Sequence, residues 1–569
     1  MGRSQIKRGL LKWLIALSVV IFILVLLFRM AITIHPPEVD ETTALHLQRV
    51  ELGRELYQCD ESWLKKNGYG LWEMYLQGSD FELGVKHGIL AREQIHYQEQ
   101  AFVSQLREMV PSDLYIRFLK KVVVWMNRNL DRHIPDEYQR EIYGVALQAS
   151  DTFSFIGPAY QRILNYHAAH DIGHALQNMN LVACTAMGVN GSRSKDGRLL
   201  VGRNFDFSMG DDFARNKILA FFEPDSGYRF ASVTWGGMIG VVSGMNDQGL
   251  VVTLNAAKSG IPGSAKTPTS ILARQILQYA SNIDEAMKLA QQSETFVAES
   301  FLVSSARDNR TVVIEKSPDG LALYDPQGEE MILTNHFQSE QFSHSRLTIK
   351  NRAEGASVYR WERTAELMEL EDTHDVSSFI RILRDQNGMD DTPIGMGNEK
   401  AVNQLVAHHS VVFEPDRLRM WISTFPYQLG AYLCYDLERV FSDTTKVTDQ
   451  IHTPGLLIGE DPFLSSEQFL KFKAYRHATE RIRSMIDEGA LEEEGESAIL
   501  DETLDEIVKE YLKMNPRYYY PYFLAGEVCR IRGDLQRATE LYEASLSLEI
   551  PRMVDREQIL EAKASLPEK

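Results

Sequence analysis

The chain of 569 residues contains only 4 cysteines, and no two of them form a CxxC pair or stand at a cysteine/histidine ligand spacing. That excludes a zinc finger or ribbon, whose metal needs closely spaced sulfur and imidazole donors. Cys59, Cys184, Cys434 and Cys529 are too scattered for a disulfide framework, and Cys59, Cys434 and Cys529 read most simply as small buried hydrophobes. Whether Cys59 and Cys434 pair is left open by the sequence. Basic residues are outnumbered: 60 Lys and Arg face 79 Asp and Glu, for a formal net charge of -19. A nucleic-acid partner is therefore not expected, because binding phosphates needs a basic face. Part of the acidity is local to 487–506, which reads as a solvated helix face or linker. His87, His167, His170 and His174 precede Cys184, but no glutamate completes an HExxH arrangement, so no metal site is expected.

Long apolar runs are absent except at the start. Residues Trp13 to Phe28 are uninterrupted apolar apart from Ser18, and the run resumes after Arg29 with Met30, Ala31 and Ile32. About 20 apolar residues cross a bilayer. Arg3, Lys7, Arg8 and Lys12 precede the run and Glu38, Asp40 and Glu41 follow it. Positive charge on the leading side orients that end to the cytoplasm. The run is long for a signal-peptide core and no A-x-A-like site follows it. The expectation is a single-pass signal anchor with the bulk of the chain outside the cytoplasm.

Residues 41–183 read as mostly helical, with 93–110 and 113–130 carrying apolar residues at spacings of three and four. From about Leu181 short β-rich runs follow one another, with turns at Asp196-Gly197, Ser226-Gly227 and Gln248-Gly249. A helical stretch at 269–292 leads to more strands, then helices near 357–372 and 376–386, then the strand pair SVVFEP and RLRMWIS. Strands and helices in blocks suggest antiparallel sheets packed with helices. From Pro516 the tail resembles one tetratricopeptide repeat, two helices joined at Gly533-Asp534; an ordinary helical hairpin fits as well. The expected divisions are 1–40 (stub and anchor), 41–183 (helical leading segment), 184–450 (catalytic core) and 451–569 (acidic linker and helical tail).

Cys184 gains interest from its neighbours. It begins a strand after the small Ala183, and 202-GRNFDF-207 lies one hairpin away. A turn at Lys195-Asp196-Gly197 places Cys184 opposite residues in the 206–209 range. Arg203 beside the sulfur would favour thiolate, lowering a pKa from about 8.5. Asp206 would accept hydrogen bonds from a free α-amino group on Cys184. Such an amine, with a reference pKa near 8, can act as the nucleophile's own base.

The run CTAMGVNGSRSKDGRLLVGRNFDF resembles the start of the mature chain in N-terminal-nucleophile (Ntn) hydrolases. It is most similar to the acyl-CoA:isopenicillin-N acyltransferase family and its choloylglycine hydrolase, penicillin V acylase and acid ceramidase cousins. 78-GSDFELGVKHG-88, 244-GMNDQGLVVTLNAA-257 and 333-LTNHF-337 resemble that family's motifs in the same order. The resemblance covers roughly residues 70–435. It implies an α+β, four-layer αββα sandwich of antiparallel sheets, self-cleavage between Ala183 and Cys184, and Cys184 as nucleophile. By the same resemblance, Arg203 and Asp206 position and activate Cys184. Asn255 supplies an oxyanion-hole donor, and Asn335 binds the amine and oxyanion. Arg346 is the first candidate for a late arginine and Arg360 the second. The family usually has glycine before the cysteine; Ala183 is still small enough for an N-to-S acyl shift.

The implied substrate is a small N-acylated amide or an acyl thioester, and that chemistry calls for no metal or organic cofactor. Two rivals stay open. One is a Cys–His hydrolase using His408 or His409 without self-cleavage. The other is an inactive anchored scaffold whose tail binds protein partners.

Overall fold

The structure, a computed structural model, describes every residue except 1–2, 41, 110–111, 169–170, 172–181, 259, 261–263, 443–446, 488–496 and 568–569. His170, His174 and most of the acidic run at 487–506 lie outside the described residues.

Four strands precede the cysteine region: β1 (Val50–Gly53), β2 (Leu56–Cys59), β3 (Ser62–Lys66) and β4 (Trp72–Gly78). From Val182 onward come β5 (Val182–Val189), β6 (Leu200–Phe207), β7 (Ile218–Pro224), β8 (Phe230–Thr234), β9 (Ser243–Asn246) and β10 (Leu250–Ala256). They are followed by β11 (Glu299–Ser305), β12 (Arg310–Ser317), β13 (Gly320–Tyr324), β14 (Glu330–Leu333), β15 (Ala407–Glu414), β16 (Arg419–Ser423) and β17 (Tyr432–Asp436). They form an 11-stranded sheet, β1-β2-β3-β4-β7-β8-β9-β10-β11-β12-β13, and a 6-stranded sheet, β14-β5-β6-β15-β16-β17.

The two sheets close on each other through Leu219, Phe221, Val251 and Leu302 of the first and Val201, Leu333, Val411 and Phe413 of the second. Helix Thr269–Tyr279 covers the outer face of the larger sheet through Leu272, Ile276 and Leu277. Helices Ser357–Glu369 and Val376–Leu383 cover the smaller through Met368, Phe379 and Leu383. Helix, sheet, sheet and helix thus stack as four layers around alternating apolar strand residues.

Within 41–183, Val50 to Gly78 form a four-strand extension of the larger sheet, and the other described elements before β5 are helices. One expectation is corrected: the larger sheet is not wholly antiparallel, since β4 runs parallel to β7 from the Trp72↔Ile218 pair to Gly78↔Pro224. The helix after β4 returns the chain over the sheet before any hairpin partner is reached, and a crossover permits parallel pairing.

That helix, Asp80–Leu90, gives the GSDFELGVKHG stretch a structural meaning. Ser79 and Glu82 form a reciprocal capping box at its start, satisfying amides that a helix N-terminus leaves open. A Cβ on Gly84 would lie 1.9 Å from the Glu141 carbonyl oxygen, so only glycine lets helix Asp136–Ala146 cross this closely. His87 accepts from the Gly237 amide at 3.1 Å through Nε2. His167 does the same for the Ile239 amide at 3.0 Å. Burial holds both rings neutral, His87 down to about 3 and His167 to about 4. Both histidines are buried acceptors, and no metal-holding cluster occurs among the described residues.

At the N-terminus, Leu11–Ile32 is an exposed helical stretch of 22 residues with mean hydropathy 2.9, long and apolar enough to cross a membrane. At the other end, helices Glu467–Asp487, Ser497–Met514, Tyr519–Ile531, Leu535–Leu546 and Met553–Ala564 form a bundle. Its Phe469, Phe472, Tyr519 and Phe523 share a core with Leu405, Tyr427 and Leu429. The tail is therefore docked on the sandwich. Its hairpin at Gly533 closes tightly because Gly526 leaves no Cβ against the Tyr542 ring.

Candidate active site

The β5–β6 hairpin sets the site. Cys184 pairs with Phe205, Ala183 with Asp206, and Ala186 with Arg203. The register therefore lies one residue short of the expected 206–209. The short helical turn Gly191–Arg193 takes up part of the loop and moves the hairpin's midpoint toward Ser194. Because side chains alternate, Cys184, Ala186, Arg203 and Phe205 share one face, while Ala183, Thr185, Asn204 and Asp206 share the other. The first face meets the larger sheet and the second meets the helices.

Cys184 is fully buried, and three side chains reach three of its atoms. Arg203 Nη2 donates to Sγ at 3.3 Å. The Cys184 amide donates to Asn335 Oδ1 at 2.8 Å. Arg360 Nη1 donates to the Cys184 carbonyl at 2.6 Å, and its Nη2 donates to Asn335 Oδ1 at 2.8 Å. Arg203 is held in turn by the Val242 carbonyl at 2.9 Å, Ser243 Oγ at 2.5 Å and the Leu254 carbonyl. A fork with several fixed acceptors loses little freedom when it also engages the sulfur.

The thiol is not a thiolate here. Burial pushes the Cys184 pKa up to about 11, although the Arg203 charge pulls it down. Desolvation outweighs the single cation because the sulfur has no water around it. Asp206 is also buried, and burial raises its carboxyl to about 7 against the pull of Arg360 and Arg203. Gln404 Nε2 donates to its Oδ2 at 3.2 Å. Oδ1 has no hydrogen-bond partner among the described residues.

The two asparagines differ. Asn335 sits at the junction with Cys184, its Nδ2 donating to the Ala256 carbonyl at 2.9 Å and its amide to Ser357 Oγ at 2.8 Å. Asn255 Nδ2 donates to the Leu333 and Thr334 carbonyls at 3.3 and 3.1 Å, which holds the strand entering TNHF. Of the two late arginines, Arg360 is the one at Cys184. Arg346 is exposed in the first turn of helix Arg346–Glu354 and corrects the order of preference. A buried helix face, not closeness to the TNHF motif, decides which arginine points inward.

His409 Nε2 bonds Ser243 Oγ at 2.9 Å, and its Nδ1 faces His408 Nδ1 at 2.8 Å. Both imidazoles are kept neutral by burial, and their hydrogen-bonded ring nitrogens face Ser243 and each other rather than Cys184. Ser243, which links His409 to Arg203, Ser357, which fixes Asn335, and Gln404 escaped the sequence reading. Ser243 sits beside the 244–257 motif, and Ser357 begins a helix expected from the sequence; Gln404 carries no sequence signal.

A cavity of about 980 Å³ opens onto Ala183, Asn335, Ser357 and Arg360. Its walls come from three parts of the chain: Tyr97 and Gln105 before the cysteine, Gln404 and Leu405 of the sandwich, and Tyr519, Tyr520 and Phe523 of the tail. The Ala183–Cys184 bond thus lies with one residue on the cavity and the thiol turned away between the sheets.

Residues 192–424 match the acyl-coenzyme A:6-aminopenicillanic acid acyl-transferase family, whose members the motifs resemble. Over this segment, which begins beyond Cys184, the chain is similar to Ntn-type amide hydrolases and acyltransferases. An uncharacterized protein of Archaeoglobus fulgidus is 27% identical over 45% of this chain and 45% of its own length. The N-acylethanolamine-hydrolyzing acid amidase of Caenorhabditis elegans is 24% identical over 38% of this chain and 59% of that protein. The chain spans about half the length of the curated relatives it matches. Among solved structures, the amidase ortholog of C. elegans superposes with a TM-score of 0.31 and 19% identity, covering 41% of this chain and 93% of that one.

Proposed function

We propose that the chain is a cysteine amide hydrolase or acyltransferase in which cleavage of Ala183–Cys184 frees the α-amine of its nucleophile. The observation that carries this reading is the convergence of Arg203 on Sγ, Asn335 on the amide and Arg360 on the carbonyl of one residue.

In the first stage the thiol adds to the Ala183 carbonyl carbon, and the peptide C–N bond breaks. The released nitrogen takes a proton, and water then hydrolyses the resulting thioester. In the second stage the free amine takes the Sγ proton and the thiolate attacks the substrate's acyl carbon. The leaving amine is protonated as its bond breaks, and the acyl thioester passes to water or to an acceptor amine. Asn335 Oδ1, already an acceptor for this nitrogen, would hold the amine. Arg203 would stabilise the thiolate once cleavage opens the site to water. Arg360 would donate toward developing negative charge, Asp206 would tune the amine's proton, and Asn255 would serve as a further oxyanion donor by releasing its longer bond to the Leu333 carbonyl.

The leading segment contributes β4 to the larger sheet and Glu141 to a fully buried pair with Arg274 at 3.2 Å. It would therefore stay bound after cleavage. The likeness to an N-acylethanolamine-hydrolyzing acid amidase suggests a small N-acylated amide as substrate. The first helix would anchor the protein with its N-terminus in the cytoplasm and the catalytic unit outside. The tail, which walls the cavity, would act with the catalytic unit before any protein partner.

Intact-mass measurement of purified protein tests the reading. Two chains split at Ala183/Cys184, co-purifying without denaturant, are expected, with Cys184→Ala remaining whole. An uncut wild type that turns over amides and loses activity in His409→Ala would replace it with the Cys–His mechanism. Partner binding without thiol-dependent turnover would replace it with the scaffold.

A further inference from the structure

Helix Asp113–Met126 touches the core only at its end, where Val123 packs against the cluster around Leu130 and Ile134. None of its residues from Leu114 to Met126 is buried, and Leu114 is 74%, Phe118 59% and Trp125 44% exposed. These three recur at helical spacing, so they lie along one stripe. An isolated helix of this length is marginal in water, and most helices are stabilised by packing an apolar face. Here Leu114 and Phe118 of that face are left exposed by the described residues.

Its position indicates what covers it. Trp125 stacks on Phe28 near the end of the first helix, with ring centroids 5.6 Å apart. Gln161 Nε2 donates to the Ile32 carbonyl at 2.7 Å, fixing the base of that helix to the same region. The exposed apolar stripe therefore continues from the exit point of the membrane-spanning stretch. Arg117, Lys120 and Lys121 are exposed on the same helix, and Arg128 lies over the Trp125 ring at 4.3 Å. Apolar and aromatic side chains bordered by Lys and Arg mark helices that lie in the headgroup layer. Beside them Phe155 is 54% exposed, and the Lys120 amine donates to its carbonyl.

We infer that helix Asp113–Met126 lies in the surface of the bilayer that the first helix crosses, on the catalytic side, with its basic residues on anionic headgroups. This rests on reading the first helix as a membrane span. The two contacts together fix the catalytic unit's orientation on the membrane, where a single span alone would let it swivel.

The test uses the full chain in membranes, with a protease site placed between Pro37 and Glu38. Before cutting, resistance to carbonate extraction reports the span. After cutting, the wild type is expected to stay bound at low salt in membranes containing phosphatidylglycerol. Leu114→Asp with Phe118→Asp should lower the bound fraction about tenfold or more, because two apolar anchors become charged. Both positions are exposed, and an unchanged thermal melt verifies folding. Wild type released on cutting, or the double variant retained equally, overturns the inference. If carbonate strips even the uncut chain, the span reading fails. Flotation of that chain with phosphatidylglycerol vesicles, wild type against variant, then decides the helix alone: flotation lost in the variant upholds it, and equal or no flotation overturns it.

Discussion

Replacing Arg360 with methionine tests the site more sharply than replacing the cysteine. Arg360 Nη1 bonds the Cys184 carbonyl at 2.6 Å and Thr185 Oγ1 at 3.0 Å, while Nη2 bonds Asn335 Oδ1 at 2.8 Å. Methionine keeps most of the length and apolar contact and removes all three bonds. A hydrogen bond to a charged group contributes roughly 1.5–3 kcal/mol. These three share one guanidinium and cannot be summed, so about 3–4 kcal/mol is the working figure. The loss falls on Asn335, which also receives the Cys184 amide, so both cleavage and turnover should suffer. At 1.4 kcal/mol per tenfold, the rate should fall about 10²–10³, the range found for losing one oxyanion donor. The assay follows the uncut and cut masses of freshly folded protein over time, then amide turnover by the cut fraction. Arg346→Met is the matched control and should behave as wild type, because Arg346 is exposed. Cleavage and turnover by Arg360→Met within threefold of wild type, or an equal loss in Arg346→Met, would refute the reasoning.

Asp206 predicts a pH effect whose sign is fixed by its raised carboxyl. The folded chain keeps this proton up to about pH 7, whereas the unfolded chain releases it near the ordinary 3.8. The folded state therefore binds more protons between those values, and stability falls as pH rises through that window. The span corresponds to about 4 kcal/mol at 1.36 kcal/mol per pH unit. Asp206→Asn should flatten the fall in Tm between pH 4 and 7 while impairing activity; a slope equal to wild type would remove the buried carboxyl from the account. Gly84→Ala should destabilise the leading segment by roughly 3 kcal/mol or more, because its Cβ meets backbone that cannot yield. Denaturant unfolding of the uncut Cys184→Ala chain reads this directly, and a midpoint unchanged by the added methyl would contradict the close helix crossing.

Much of this protein is local enough to be legible in sequence. The apolar run at the start, the hairpin around Asp196-Gly197, the helices after Ser357 and the strand pair at 410–423 follow from periodicity and turn chemistry, which need no distant partner. Cys184, Arg203 and Asn335 were found because they lie in motifs whose order resembles a known family. Three things depended on distant contacts. The four strands up to Gly78 pair locally with one another, but they join the larger sheet because β7, more than a hundred residues later, offers an edge. Which late arginine serves Cys184 depended on which helix face turns inward. The sequence predicted a thiolate beside Arg203, yet packing removes water from the sulfur and leaves it protonated. Local chemistry determined the element types and the residues able to react. Tertiary packing decided their protonation and their partners, because burial and long-range pairing arise only when distant segments exclude water together.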